Sequence, residues 1–169
     1  MMGAGKTTLG KSLAQRLQRE FVDTDRVLVA RTGVPVATIF EIEGEAGFRR
    51  RESAVLAELC AGDQYVVATG GGLVLAEANR RLMRGSGTVV YLRARLDHLW
   101  ERTRHDSSRP LLAAPNPRER LAEILREREA LYRETAHVVV DTGSQSASTL
   151  VNRVVAALRE HEAAARGPA

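Results

Sequence analysis

The strongest chemical signal in the sequence is a glycine-rich loop at residues 3–8 that runs directly into a segment with leucines at helical spacing. The loop consists of Gly3, Ala4, Gly5, Lys6, Thr7 and Thr8. Glycines let backbone N–H groups converge on phosphate oxygens, while Lys6 supplies positive charge and the Thr7 hydroxyl can ligate Mg²⁺. The loop therefore predicts binding of a nucleotide through its phosphates. The alternative is an ordinary turn at the start of a helix.

Two carboxylates, Asp23 and Asp25, follow the short apolar pair Phe21 and Val22. The end of a buried strand is where open α/β sheets place their ligands. A phosphoryl-transfer enzyme needs one carboxylate to support Mg²⁺ and another to orient or deprotonate an acceptor hydroxyl. Capping of a following helix by one of these residues explains the pair alone equally well.

Three consecutive glycines, at residues 70–72, follow another apolar run at residues 65–68. If that run is a parallel strand, the glycines emerge at the same edge of the sheet as the aspartates. Glycines expose the backbone, so this loop could donate N–H groups to a ligand. A flexible turn without a ligand is the alternative.

Arg49 and Arg128 are the two arginines best placed to hold an acidic ligand. Arg49 belongs to an arginine run that starts a helical segment, and Arg128 falls within the apolar stripe of the segment 117–135. Guanidinium groups bind a carboxylate through two parallel hydrogen bonds, so the pair predicts a clamp. The alternatives are a solvated helix face for the run and, for Arg128, an ion pair with a neighbouring helix.

The elements that must position these residues alternate between helix and strand. Apolar periodicity predicts helices at residues 6–19, 45–61, 77–85, 117–135 and 147–161. Short apolar runs predict strands at residues 21–22, 65–68, 88–92 and 137–140. Because these runs lack polar alternation, they indicate a parallel sheet covered by helices on both faces. Asn116 and Glu119 predict a capping box at the start of the fourth helix.

Composition narrows the class of protein. The 169 residues suit one domain, at residues 1–161, with an Ala-rich tail at 162–169. The net charge is +4, but the basic residues are mixed with glutamates and only 4% of residues are aromatic, which argues against nucleic acid binding. No apolar run is long enough to span a membrane, and the single cysteine excludes an internal disulfide framework. We therefore expect a cytoplasmic protein that does not bind membranes.

The segment 103–115 is polar, contains prolines and carries Arg104 and Arg109. It has no periodicity of its own and separates two helical segments. Loops of this length in a compact domain are often lids over a site or flexible connections.

Together these motifs resemble the shikimate kinases, which are small P-loop kinases of the nucleoside-monophosphate-kinase type. The resemblance spans residues 2–161, and the set of motifs in this order is more specific than the phosphate loop alone. The matching segments are residues 2–8, 23–25, 47–52, 69–72 and 109–112, followed by Leu131 and Tyr132 after Arg128.

The resemblance implies transfer of the γ-phosphoryl group of MgATP to the 3-hydroxyl of shikimate. The products would be shikimate 3-phosphate and ADP, in the pathway to chorismate and the aromatic amino acids. Asp25 would bind the ring hydroxyls and orient or deprotonate the attacking one, with Lys6 and Arg109 as the catalytic cations. One Mg²⁺ ion would be held by Thr7 and, through water, by Asp23.

The remaining contacts are also assigned by resemblance. Arg49 and Arg128 would grip the shikimate carboxylate, and Gly71 would donate a backbone hydrogen bond to the substrate. ATP would lie on residues 3–8, with Arg109 closing over its phosphates as part of the lid at 103–115. Arg102 would stack on adenine, and Gln145, in the loop after the last strand, would contact the base.

The fold implied is the three-layer α/β fold of P-loop NTPases, with a parallel sheet of order 2-3-1-4-5 and helices on both faces. The substrate-binding helices would occupy about residues 24–61. Because the sequence begins inside its phosphate loop, we expect the first strand, which is central in that order, to be missing.

Two alternatives stay open at the level of sequence. Another small-molecule P-loop kinase would share the phosphate loop but not the set formed by Arg49, Gly71 and Arg128. A nucleotide-binding protein that is inactive because of a truncated N-terminus would bind ATP without turnover. The resemblance also implies a monomer whose partners are ATP and shikimate.

Overall fold

The computed structural model describes residues 1–106, 109–143 and 145–166. These ranges contain seven α-helices and four β-strands, and two short 3₁₀ turns lie at Leu73–Leu75 and Pro110–Leu112. In chain order the helices and strands are α1 (Lys6–Leu17), β1 (Glu20–Asp23), α2 (Thr24–Thr32), α3 (Val36–Cys60), β2 (Tyr65–Ala68), α4 (Glu77–Ser86), β3 (Val90–Ala94), α5 (Leu96–Thr103), α6 (Pro117–Thr135), β4 (Val138–Thr142) and α7 (Ala147–Arg166).

The strands form two parallel pairs, β1 with β2 and β3 with β4. Asp23 is in register with Ala68, so the aspartates and the triple glycine emerge at the same edge, as expected. In the described ranges no strand is hydrogen-bonded between the two pairs. The pairs correspond to the 2-3 and 4-5 neighbours of the predicted order. The predicted α/β fold with parallel strands and helices is confirmed.

The apolar core lies between the strands and the helices that cover them. Leu99, Leu121, Ile124 and Val154 are completely buried, and burial of each such side chain contributes about 1.5–3 kcal/mol. Helix α1 packs against β1 and β2 and also against α7, which covers β4. A second, smaller cluster joins α2 to α3. The phosphate loop therefore leads into a helix that is anchored on both sides.

The boundaries of several helices differ from the prediction. Helix α3 begins at Val36 instead of 45 and is interrupted at Gly44, whose backbone is not helical. Helix α5 was not predicted. Helix α7 continues to Arg166, so residues 162–166 are helical and not a frayed tail, consistent with the high helix propensity of alanine. Residues 167–169 lie outside the described part of the chain.

The start of α6 follows the prediction in position but not in bonding. Asn116 is the N-cap residue and Pro117 the first helical residue, yet the Asn116 side chain forms no capping hydrogen bond. Its amide instead lies 3.5 Å from the carboxylate of Glu119. The predicted capping box is therefore wrong.

Among the described helices, none combines the length and apolar character that crossing a membrane requires.

Candidate functional site

A cavity of about 990 Å³ opens beside the ends of β1 and β2. It brings together most of the residues singled out by the sequence. Those that line it are Gly3, Gly5, Lys6, Thr7, Thr8, Asp23, Asp25, Arg49, Gly71, Arg102, Arg109 and Arg128. Ala4, within the loop, is buried and does not line the cavity, and neither does Gln145.

The phosphate loop has the backbone that its glycines predict. Gly5 caps α1 with φ at 86°, in the left-handed region that favours glycine. A Cβ on Gly3 would lie 2.9 Å from a methyl carbon of Thr103, so this position has no room for a side chain. The loop places the N-terminus of α1, with its free N–H groups, at the cavity.

Two cations share the phosphate-loop end of the cavity. The Lys6 ammonium donates a 2.7 Å hydrogen bond to the carbonyl of Met1. Burial lowers the pKa of Lys6, and the nearby positive charge of Arg109 lowers it further. Like charges in a buried site favour the binding of an anion between them, so this end of the cavity suits phosphate.

Both carboxylate oxygens of Asp23 accept hydrogen bonds. Its Oδ1 accepts hydrogen bonds from the N–H groups of Asp25 and Arg26 and so caps α2. Its Oδ2 accepts a 3.0 Å hydrogen bond from the Thr7 hydroxyl. The interpretation of Asp23 as a helix cap is therefore confirmed, and its second oxygen contacts the phosphate loop. A hydroxyl and a carboxylate side by side next to a phosphate loop are oxygen ligands of the kind Mg²⁺ prefers, so these residues fit the ion.

Asp25 offers an unused acceptor to the cavity. Its Oδ1 is buried and has no hydrogen-bond partner among the described residues. Burial raises the pKa of this carboxyl, and the neighbouring charge of Asp23 raises it further. Buried acceptors without a partner are rare in folded proteins. The arrangement suits a carboxylate that accepts a hydrogen bond, or a proton, from a bound hydroxyl.

Arg49 is held between two acidic residues of its own helix. It donates to Glu45 at 2.8 Å and to Glu52, and it lies 5.3 Å from the centre of the Phe48 ring. Glu52 is only 1% exposed, and burial raises its pKa while Arg49 opposes that shift. Sequence analysis missed Glu52. Its spacing of three residues from Arg49 on a helix was the available signal.

Arg128, on α6, is a buried cation that lines the same cavity. It is 4% exposed, and its Nε has no hydrogen-bond partner in the described part of the chain. Across residues 1–106, 109–143 and 145–166, no carboxylate lies within 4 Å of its guanidinium group. The ion pair with a neighbouring helix is therefore not formed there. A buried guanidinium aimed into a cavity is a site for an acidic ligand.

The triple glycine is packed against these charged side chains. A Cβ on Gly70 would lie 1.9 Å from a carboxylate oxygen of Glu52, and one on Gly72 would lie 2.1 Å from Nη1 of Arg49. The Gly70 N–H donates a 2.9 Å hydrogen bond to the Thr24 hydroxyl. The glycines thus allow the loop to approach the site closely instead of serving as a flexible turn.

The lid and the adenine side are described in part. Arg109 precedes the Pro110–Leu112 turn and donates to Asp106 at 2.7 Å, while residues 107–108 of the predicted lid lie outside the described ranges. Arg102 donates to the carbonyls of Gly3 and Gly143, which links the phosphate loop to the loop after β4. Gln145 donates to the carbonyl of Asp141.

Comparisons with known proteins agree with this geometry. The family model described as shikimate kinase matches residues 2–159. The shikimate kinase of Nitrosospira multiformis is 56% identical over 146 residues, which cover 86% of this chain and 75% of the relative. That of Aromatoleum aromaticum is 55% identical over 159 residues, covering 94% and 91%.

A solved structure extends the likeness to three dimensions. The shikimate kinase of Acinetobacter baumannii, solved in complex with shikimate, superposes with a TM-score of 0.92 at 42% identity. The match covers 94% of this chain and 89% of that one. From the family match, the identities and the shared fold, we conclude that the chain belongs to the shikimate kinase family.

Proposed function

We propose that the protein transfers the γ-phosphoryl group of MgATP to the 3-hydroxyl of shikimate, giving shikimate 3-phosphate and ADP. The observation that carries the proposal is the buried guanidinium of Arg128, which faces the same cavity as the phosphate loop and Asp25. A kinase whose acceptor is a carboxylic acid needs such a cation, whereas nucleotide binding alone does not. Family membership supports the same acceptor.

The acceptor carboxylate would bind between Arg49 and Arg128, with a backbone N–H of Gly71 as a third donor. Glu45 and Glu52 already orient the Arg49 side chain through ion pairs. Arg128 has no carboxylate partner in the described ranges, although it hydrogen-bonds the Tyr132 hydroxyl. The substrate would therefore supply a counter-charge that the folded protein lacks at this point, which favours binding.

The 3-hydroxyl of shikimate would lie against Asp25, away from the carboxylate end of the ring. Its oxygen forms a bond to the γ-phosphorus while the bond from that phosphorus to the β,γ-bridging oxygen breaks and ADP leaves. The hydroxyl proton passes to the Asp25 carboxylate. The raised pKa of Asp25 suits a group that accepts a proton during the reaction.

Lys6 and Arg109 would stabilise the negative charge that spreads over the transferred group, and the residues 3–8 would hold the phosphates of ATP. Thr7 and, through water, Asp23 would hold one Mg²⁺ ion. When bound, that ion neutralises charge on the β- and γ-phosphates and fixes their orientation. Arg102 and Gln145 would contact the adenine.

ATP and shikimate are the partners in this proposal, and the protein would act as a monomer in the cytoplasm, without nucleic acid or membrane. The interspersed charges support the absence of a nucleic acid partner, because they form no continuous basic block along the chain.

The test is release of ADP from MgATP by the purified protein with and without shikimate. We expect turnover that requires shikimate and saturates with it. Gluconate and a nucleoside monophosphate serve as matched acceptors, because each would reveal another small-molecule kinase. Turnover with either of them in preference to shikimate, or ATP binding without any acceptor-dependent turnover, would contradict the proposal.

A further inference from the structure

The backbone of the triple glycine is held by two side-chain hydroxyls. The Thr24 hydroxyl accepts a hydrogen bond from the Gly70 N–H at 2.9 Å, and the Tyr132 hydroxyl donates to the Gly71 carbonyl at 2.7 Å. The carbonyls of Gly70 and Gly72 accept from backbone N–H groups of the following turn. Among the described residues, this leaves the N–H groups of Gly71 and Gly72 as the only polar backbone atoms of the three glycines without a partner.

The hydrogen bond from Tyr132 determines where one of these donors points. The Gly71 carbonyl and the Gly72 N–H belong to the same peptide unit, which is planar and trans, so the two groups point in opposite directions. Anchoring the carbonyl on Tyr132 therefore turns the Gly72 N–H away from α6. Gly72 is also the residue that packs against the guanidinium of Arg49.

Tyr132 is well suited to anchor the loop. It is 6% exposed, and burial raises its pKa, while the charge of Arg128 and a hydrogen bond with its guanidinium oppose that shift. The hydroxyl therefore keeps its proton and donates it to the Gly71 carbonyl. The sulfur of Met1 lies 3.7 Å from the same hydroxyl, but sulfur is a weak acceptor and the carbonyl is closer. The ring stacks on Tyr91 with a centroid distance of 5.1 Å, which fixes its position.

Helix α6 places this hydroxyl beside the ligand-binding cation. Tyr132 follows Arg128 by four residues, so both side chains lie on one face of the helix. One helix face therefore supplies a charge for the substrate and an anchor for the loop on which the substrate would lie.

We propose that Tyr132 is a positioning residue of the substrate site: its hydroxyl fixes the Gly71–Gly72 peptide so that the Gly72 N–H donates to the substrate carboxylate beside Arg49. The inference rests on the proposed function, since it needs an acceptor with a carboxylate. Tyr132 itself does not touch the reacting atoms in this assignment.

The test is the variant Tyr132→Phe, which removes the hydroxyl and keeps the ring stacked on Tyr91. The matched control is Tyr91→Phe, because the Tyr91 hydroxyl donates to Glu129 and does not touch the loop. We expect Tyr132→Phe to raise KM for shikimate, and its calorimetric Kd, about tenfold, the scale of one buried hydrogen bond. Its kcat and its KM for ATP should change less than about twofold. Tyr91→Phe should leave all of these constants at wild-type values.

The outcomes separate the inference from the proposed function. Wild-type protein that fails to use shikimate would overturn both. Normal wild-type turnover with an unchanged KM for shikimate in Tyr132→Phe would overturn the inference alone. An equal rise in both tyrosine variants would overturn it as well. A loss of kcat in Tyr132→Phe that parallels a lower melting temperature would also overturn the inference, because a purely structural role predicts that pattern.

Discussion

The hydroxyl of Thr7 donates a 3.0 Å hydrogen bond to Oδ2 of Asp23, and the other oxygen of that carboxylate caps helix α2. One side chain therefore ties the start of α1, the end of β1 and the start of α2 together. This relationship lets the structural role of Asp23 and its proposed role in Mg²⁺ binding be tested apart.

Two substitutions of Asp23 should separate these roles. Asp23→Asn keeps a good N-cap, since asparagine and aspartate cap helices about equally well, but it removes the negative charge. We expect an unchanged melting temperature and a requirement for more Mg²⁺. Asp23→Ala should lose the cap as well, at a cost of about 0.5–2 kcal/mol. Thermal unfolding and the Mg²⁺ dependence of kcat measure the two effects. A similar loss of stability in both variants would contradict the separation.

Asp25→Asn should lower activity and raise stability. Without the carboxylate the attacking hydroxyl loses its proton acceptor, so kcat should fall about 10²- to 10⁴-fold. The pKa of Asp25 is raised in the folded protein, so the stability that its neutral form contributes is present at low pH and is lost as the pH rises through the folded pKa. Asparagine resembles the neutral form at every pH.

The melting temperature of Asp25→Asn should therefore exceed that of wild type at neutral pH, and the difference should shrink as the pH falls. The exposed Asp63 provides a control, since Asp63→Asn should change neither kcat nor this pH dependence. If Asp25→Asn kept the wild-type kcat, the assigned proton transfer would be wrong.

Arg128→Met should weaken shikimate binding without harming the fold. A charge-assisted hydrogen bond contributes about 1.5–3 kcal/mol, so KM for shikimate should rise about 10- to 100-fold. Because the guanidinium is buried without a carboxylate partner in the described ranges, an apolar side chain of similar length should raise the melting temperature. Arg126→Met, at an exposed position of the same helix, is the control. Equal KM values in the two variants would exclude Arg128 from the clamp.

Gly72→Ala should displace the guanidinium group of Arg49 by steric overlap. The added methyl group would overlap the guanidinium, which can move because it is the end of a flexible side chain. We expect normal folding and an increase of about tenfold in KM for shikimate, as Arg49 loses one good hydrogen bond to the ligand. In Gly85→Ala the methyl group meets nothing within 4 Å, and stability should rise by up to about 1 kcal/mol. Unchanged kinetics in Gly72→Ala would show that Arg49 does not need its present position.

The residues assigned to ligand contacts were predictable because their chemistry dictates their type. Lys6, Asp25 and Arg128 could each be found from a loop motif, a strand end or a charge on an apolar stripe, and each lines the cavity. Adenine contacts are less constrained by type, and of the two residues assigned to them Arg102 lines the cavity and Gln145 does not.

The residues that hold these groups in place could not be found in the same way. Glu52 has a local signal, its spacing of three residues from Arg49, but that spacing also occurs on any charged helix surface. Tyr132 acts on the backbone of Gly71, which is distant in sequence, so no local pattern distinguishes it from a core position. Helix α5 was missed because eight residues are too few for a repeating apolar pattern to be recognised.

The interruption of α3 at Gly44 should make the shape of the acceptor site depend on ionic strength. Val36 and Phe40 line the cavity from one side of the interruption, and Arg49 lines it from the other. The two sides are bridged by an ion pair between Arg51 and Glu43 that lies open to solvent. An exposed pair of this kind contributes at most about 1 kcal/mol, and added salt weakens it. Ionic strength is therefore expected to act on the angle between the two walls, and through it on how closely the protein fits its acceptor.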